Sequence, residues 1–402
     1  MDDKWRSLDF ATRAVRAGER MPRPDFTPVS TPIYPSVGYL YDDMSDLDAI
    51  FAGTREGYVY TRYGNPTVRA FEEAVAVLEE GEAALAFGSG MAAIHATLLG
   101  LGLRAGTAAV VSRDVYGATY ALFGKLLASQ GVTVRFVSVT DLAEVEAACA
   151  DLKPVVLFIE TVSNPLLKVA DLAALARIAH AHGTALLVDN TFATPYLCRP
   201  LSLGADAVIH SATKYLGGHG DALGGVVVTS AERWQAIHEV QKATGGNLGP
   251  QEAWLLLRGI KTLPLRVRQQ CSNALEVANG LARTGGIARV IYPGRPDHPQ
   301  HSIATRLFGG LGYGGMVSFE LRGGDQDRVF RFFEALKLCL PATTLGDVYT
   351  LVLYPTHSSH RALSAEERRD VGISEGLVRL SVGIEAPQDI LADIRQALGT
   401  LG

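Results

Sequence analysis

The sequence predicts an α/β fold: a large domain built on a mostly parallel sheet, followed by a smaller α+β domain. Three observations carry this. From about residue 83, apolar strand-like runs (ALAF, AAVVS, TVRFVS, VVLFIE, ALLVD, AVIH, GVVVT) mostly alternate with helix-like stretches at 91–101, 116–129, 142–150 and 172–181. Near-continuous apolar strands separated by amphipathic helices belong to a sheet covered on both faces. After about residue 250 the order changes: a long helical run at 267–282 leads to strands at 316–321 and 378–382 and helices at 326–336 and 388–398. Finally, 402 residues with 48% hydrophobic and 20% charged content suit a globular chain of two or three domains.

Composition excludes several functions. A net charge of −5 offers no basic stripe to nucleic acid. Cys149, Cys198, Cys271 and Cys339 form no CxxC or CxH pattern and are expected as small buried hydrophobes in a reducing cytosol, neither disulfides nor metal ligands. His180 and His182 in AHAHG follow a helix-like run, where imidazolium suits a C-terminal turn better than a metal site. The first residues lack the charged-then-apolar order of a secretory signal. The apolar run 92–103 is interrupted by His95 and stops at Arg104, too short to span a bilayer. No metal, no membrane and a cytoplasmic location are the expectations.

Up to about residue 60 there is little periodicity, and PRPDFTPVSTPIYPS (22–36) cannot be a regular helix. Such a segment wraps a surface, its own or a partner's. It ends in YVYTRYGNPT (58–67), after which Val68, Phe71, Val75 and Leu78 mark a helix over 67–78. The expected organisation is an N-terminal arm at 1–62, a large domain at 63–255 and a small domain at 256–402.

Four strand ends of the large domain carry polar clusters, where ligands gather in such sheets. In FGSGMAA, Gly88 and Gly90 permit a tight turn, and the helix opened by Met91 offers amides to an anion such as phosphate, although no GK[ST] follows. In SRDVYGATY, Tyr116 either stacks on a flat cofactor and moves a proton, or packs the first turn of its own helix. In LLVDNTFATP, Asp189 closes an apolar strand and either caps a turn or pairs with a cation such as a protonated pyridine nitrogen. In SATKYLGGHG (211–220), Lys214 follows a buried strand beside the hydroxyls of Ser211 and Thr213. Desolvation there favours the neutral amine that a Schiff base needs, unless the side chain snorkels into water. An aspartate for the pyridine nitrogen and a lysine for the aldehyde are the pairing that pyridoxal phosphate requires. In the small domain, Arg379 lies within the apolar run of EGLVRLSVG, matched either to a substrate carboxylate or to an internal acid.

With these residues assembled, the sequence resembles the Cys/Met-metabolism (trans-sulfuration) family of pyridoxal-phosphate enzymes, from about Phe26 onward. DAVIHSATKYLGGHG matches the family's lysine signature, and YTRYGNPT, SGMAA, DVYGAT, ETVSNP, VDNTFATP and EGLVRLSVG occur in the family's order. The resemblance implies the fold type I, aspartate-aminotransferase-like architecture. It implies that Lys214 holds the cofactor and shuttles protons, Asp189 pairs with the pyridine nitrogen and Tyr116 stacks on the ring. Gly90, Met91, Ser211 and Thr213 would bind the phosphate, and Tyr60 and Arg62 would reach it from the neighbouring subunit of a dimer or tetramer. Asn164 would lie near the cofactor's 3′-oxygen. Arg379 would bind the substrate carboxylate, with Thr344 and Tyr60 as further substrate contacts.

Two departures bear on the reaction. Methionine γ-lyases carry a cysteine where this chain has Ala118, and the SLGGxES of many γ-synthases and γ-lyases reads TLGDVYT here, with Thr344 for the serine and Tyr349 for the glutamate. The lyase-like tail HSSHRALSAEERRDVGISEGLVRLSVG (357–383), without a long sulfhydrylase-type insertion, points to γ-elimination on a sulfur amino acid. The alternative is γ-replacement on an acylated homoserine.

Overall fold

The computed structural model describes Trp5 and residues 8–18, 28–358, 361, 366, 368 and 371–401. Phe26 and parts of the proline-rich segment and of the lyase-like tail lie outside the described residues. All seven expected strands of the large domain form: β1 (Ala83–Phe87), β2 (Ala108–Ser112), β3 (Thr133–Val137), β4 (Val156–Glu160), β5 (Ala185–Asp189), β6 (Ala207–Ser211) and β7 (Gly225–Thr229). They make one sheet in the order β1-β7-β6-β5-β4-β2-β3. Its pairs are parallel except those of β7, which runs antiparallel to β1 and β6. The reason is local. The segment between β6 and β7 contains no helix, so the chain turns straight back instead of crossing over. That helix-free connection is the lysine stretch.

The strands are buried on both faces. Ala84 and Ala86 of β1 join one core and Leu85 and Phe87 the other, and Leu186 and Leu187 of β5 divide likewise. Helices Pro66–Glu79, Leu172–Ala181 and Pro250–Ile260 cover the first face; Gly90–Gly100 and Ala231–Thr244 cover the second. The helix expected at 116–129 runs from Gly117 to Ala121 and continues as a π-helical turn, Leu122–Leu127.

The smaller domain has β8 (Ile287–Ile291), β9 (Met316–Leu321), β10 (Leu340–Pro341), β11 (Leu351–Leu353) and β12 (Leu377–Ser381), in the order β10-β11-β12-β9-β8. The cores do not divide at residue 256. Helix Leu263–Leu281 gives Leu263, Val267 and Cys271 to the large core and Ala274, Val277, Ala278 and Leu281 to the small one. The N-terminal arm is not uniform either. Phe10, Ala14 and Ala17 are buried in this chain's own large core, whereas Val29, Leu40, Met44 and Phe51 stand exposed. Helix Met44–Phe51, capped by Asp43, buries no residue within this chain, although Met44, Leu47, Ile50 and Phe51 recur at helical spacing.

All four cysteines are buried and unbridged. His180 pairs with Asp206 and His182 with Glu146, two separate partners at a helix end. Among the described residues no helix is long and apolar enough to cross a membrane.

Candidate active site

The carboxyl ends of β4, β5 and β6, the start of helix Gly90–Gly100 and part of the small domain enclose a cavity of about 430 Å³. Gly90, Met91, Tyr116, Asn164, Asp189, Ser211, Thr213, Lys214 and Arg379 all line it, although they come from places far apart in the sequence. Thr344 adjoins them through hydrogen bonds. Tyr60 and Arg62 do not border this cavity: Arg62 lies against the rings of Tyr60 and Tyr63 and donates to the Lys242 carbonyl, at the surface.

Lys214 occupies the tight turn after β6, where its amide donates to Ser211 O at 3.1 Å and its carbonyl accepts from Gly218 N at 2.7 Å. Its amine opens on the cavity rather than on bulk water. Burial holds the amine's pKa below the ordinary lysine value, and the Arg379 guanidinium acts in the same direction. Nζ donates to Thr344 Oγ1 at 3.0 Å.

The anion cradle is built by Ser89, which the sequence reading left out. As N-cap of helix Gly90–Gly100 it accepts from Ala92 N at 3.1 Å through Oγ and from Ala93 N through its carbonyl. The amides of Gly90 and Met91 are then left without an acceptor among the described residues. Gly90 is packed so tightly on β6 that a Cβ would lie 3.0 Å from that of Ser211, so a side chain there would crowd the cradle. Thr213 is less available than expected. Its hydroxyl donates to Gly224 O at 3.1 Å and accepts from Gly224 N at 3.0 Å, tying its own turn.

Two carboxyl groups sit side by side on adjacent strand ends, Glu160 in register with Asp189. Burial raises both pKa values, and Asp189 repels the Glu160 charge further, pushing Glu160 well above the carboxylate range. Burial and the neighbouring charge thus favour the neutral form of Glu160, while the Thr191 backbone and hydroxyl hydrogen bonds to Asp189 favour its charged form against burial. Glu160 also fixes the start of the Tyr116 helix by accepting from Tyr116 N at 2.7 Å. The signal for Glu160 was the one used for Asp189, an acid closing an apolar strand.

Arg379, on β12, is only 3% exposed and yet has no acid beside it among the described residues. It donates to Asn164 Oδ1 at 3.0 Å and Thr344 O at 3.3 Å, and its buried Nε has no partner. Burial lowers its pKa to about 10, which leaves it a cation at neutral pH.

Open amides with serine hydroxyls, a carboxylate, a desolvated amine and an unpaired guanidinium are the donor set that pyridoxal phosphate and an amino acid need. A family model described as Cys/Met metabolism PLP-dependent enzyme matches residues 11–399. The chain belongs to this family. A cystathionine gamma-lyase of Bacillus subtilis is 46% identical over 371 residues, 92% of this chain and 94% of the relative. An O-succinylhomoserine sulfhydrylase of Pseudomonas aeruginosa is 43% identical over 403 residues, 100% of this chain and 98% of the relative. A Campylobacter jejuni crystal structure containing N'-pyridoxyl-lysine-5'-monophosphate is 29% identical and covers 98% of this chain and 100% of its own, with a TM-score of 0.92. As a Cys/Met-metabolism enzyme, the chain has pyridoxal phosphate as its cofactor.

Proposed function

We propose that the enzyme cleaves the Cγ–S bond of a sulfur amino acid by γ-elimination, acting in the cytoplasm as a homo-oligomer. The observation that carries this reading is the buried, acid-free Arg379 guanidinium on the wall of the cavity into which Lys214 projects. A substrate α-carboxylate supplies the missing anion and turns the amino-acid end toward Lys214. The thioether arm then meets an apolar lining that includes Ile94, Val162, Leu223, Leu345 and Leu353.

Pyridoxal phosphate, when bound, supplies the electron sink that holds charge as protons leave the substrate carbons. Gly90 and Met91 amides with Ser211 would hold its phosphate, and Asp189 would keep a proton at the pyridine nitrogen. Lys214 Nζ would take the proton from Cα, hand it on, and so regain the free amine that takes a second proton from Cβ. The Tyr116 hydroxyl gives a proton to the departing sulfur. One water completes the balance: R–S–CH2–CH2–CH(NH3+)–COO− and H2O give RSH, 2-oxobutanoate and NH4+.

γ-Replacement is the second reading, favoured by the full-length match to a sulfhydrylase. Incubating the protein with methionine, cystathionine, homocysteine or O-acetylhomoserine, with and without added thiol, separates the two. We expect 2-oxobutanoate from a thioether alone; product only from acyl-homoserine plus thiol would make it a transferase. The exposed Val29, Leu40, Met44 and Phe51 support an arm that packs on a second subunit, whose site Tyr60 and Arg62 would complete.

Arg379→Gln should raise KM by roughly thirty- to a hundredfold with a smaller fall in kcat, and Arg379→Lys should not restore it, because the planar fork is lost. An unchanged KM would remove Arg379 from carboxylate binding.

A further inference from the structure

Residues 343–348 of the small domain lie across the Lys214 turn. Val348 N donates to Gly218 O at 2.9 Å, and a Cβ on Gly346 would lie 2.7 Å from Tyr215 N. Asp347 is carried on this loop and is 3% exposed, but it does not line the cavity. Its Oδ2 lies against Gly220, where a Cβ would be 3.2 Å away, and its buried Oδ1 has no hydrogen-bond partner. Among the described residues it makes no direct ion pair. On the other side of the turn Arg266 is committed to carbonyls, donating to Tyr215 O at 2.8 Å, Leu216 O at 3.3 Å and Gly259 O at 2.8 Å.

A carboxylate half-satisfied in such a place costs free energy, so packing alone does not account for it. The basic groups that face Asp347 are Lys214, His219 and Arg266. The charged groups that face Lys214 are Arg379 on β12, which opposes its charge, and Asp347, which favours it. Asp189, Glu160 and Tyr116 line other walls of the cavity.

We propose that Asp347 is a positioning residue for proton transfer at Lys214: docked behind the lysine turn, its buried charge offsets Arg379 and keeps the amine a competent base. The proposal rests on Lys214 being the cofactor-bearing residue. It goes beyond the reaction itself by assigning a control on the base to a residue that touches neither substrate nor cofactor.

The test titrates the visible absorbance of the holoenzyme, which changes as the lysine-borne nitrogen gains or loses its proton. In Asp347→Asn the pH midpoint should fall by about one pH unit, and kcat should fall severalfold with KM unchanged. Asp347→Glu should bring the midpoint back toward the wild-type value. An unchanged midpoint in a folded Asp347→Asn protein, or a shift that Asp347→Glu fails to reverse, overturns the proposal. Should Asp347→Asn not fold, Asp347→Ser carries the same expectation and the same refutation. A Lys214→Ala protein that kept the visible absorbance would instead overturn the underlying assignment of the lysine, whatever Asp347 does.

Discussion

Lys214→Ala lowers 2-oxobutanoate formation by about a thousandfold or more and removes the protein's visible absorbance. The reasoning is one of substitutes. The reaction moves protons at two substrate carbons, and the cations lining the cavity are Lys214 and Arg379. Arg379 cannot stand in, because at a pKa of about 10 its guanidinium stays charged at neutral pH. The remaining acid–base groups, Asp189, Glu160 and Tyr116, stand on other elements and are assigned to the ring nitrogen, the Tyr116 helix and the leaving sulfur. Full turnover by the alanine variant would sink the mechanism; loss of colour with retained folding, read from circular dichroism, is the supporting result.

Glu79→Leu destabilises the fold by about 3–5 kcal/mol, seen as a lowered urea midpoint. Glu79 ends helix Pro66–Glu79 fully buried, with Oε1 2.6 Å from His210 Nε2 and accepting from Asn190 Nδ2 at 3.0 Å. Asn190 in turn accepts from Thr161 Oγ1 at 2.7 Å. The chain of contacts thus ties together the residues beside Glu160, Asp189 and Ser211, three strand ends that face the cavity. Leucine leaves the donors of His210 and Asn190 unmet in a dry interior, which costs more than the bonds themselves contributed. Glu79→Leu combined with His210→Leu should recover part of the loss, since removing both members leaves fewer stranded polar groups. A wild-type midpoint in Glu79→Leu would show that the network bears no strain.

The sheet and most of its helices were legible because strands buried on both faces read as unbroken apolar runs, and the four polar clusters marked their carboxyl ends. Lys214, Asp189 and Arg379 stood out for one reason, a charge inside or at the end of an apolar run. Glu160 met the same criterion and was passed over, having drawn no partner in the sequence. Ser89 and Asp347 were not legible: one acts through cap geometry, the other through a loop of the small domain folding onto the Lys214 turn. Thr213 lines the cavity, but the bonds its hydroxyl makes within its own turn could not be read from spacing. No break in the sequence pattern marks where one core passes into the other, because one amphipathic helix, Leu263–Leu281, serves both.

That helix, Leu263–Leu281, has a mechanical consequence. A continuous helix runs from one core into the other, so any hinge between the two halves at that point would have to bend it. Neither half can melt without stripping the other of its share of the same spar. The chain should therefore unfold cooperatively, and the walls that hold Lys214 and Arg379 stay in register for as long as either core survives.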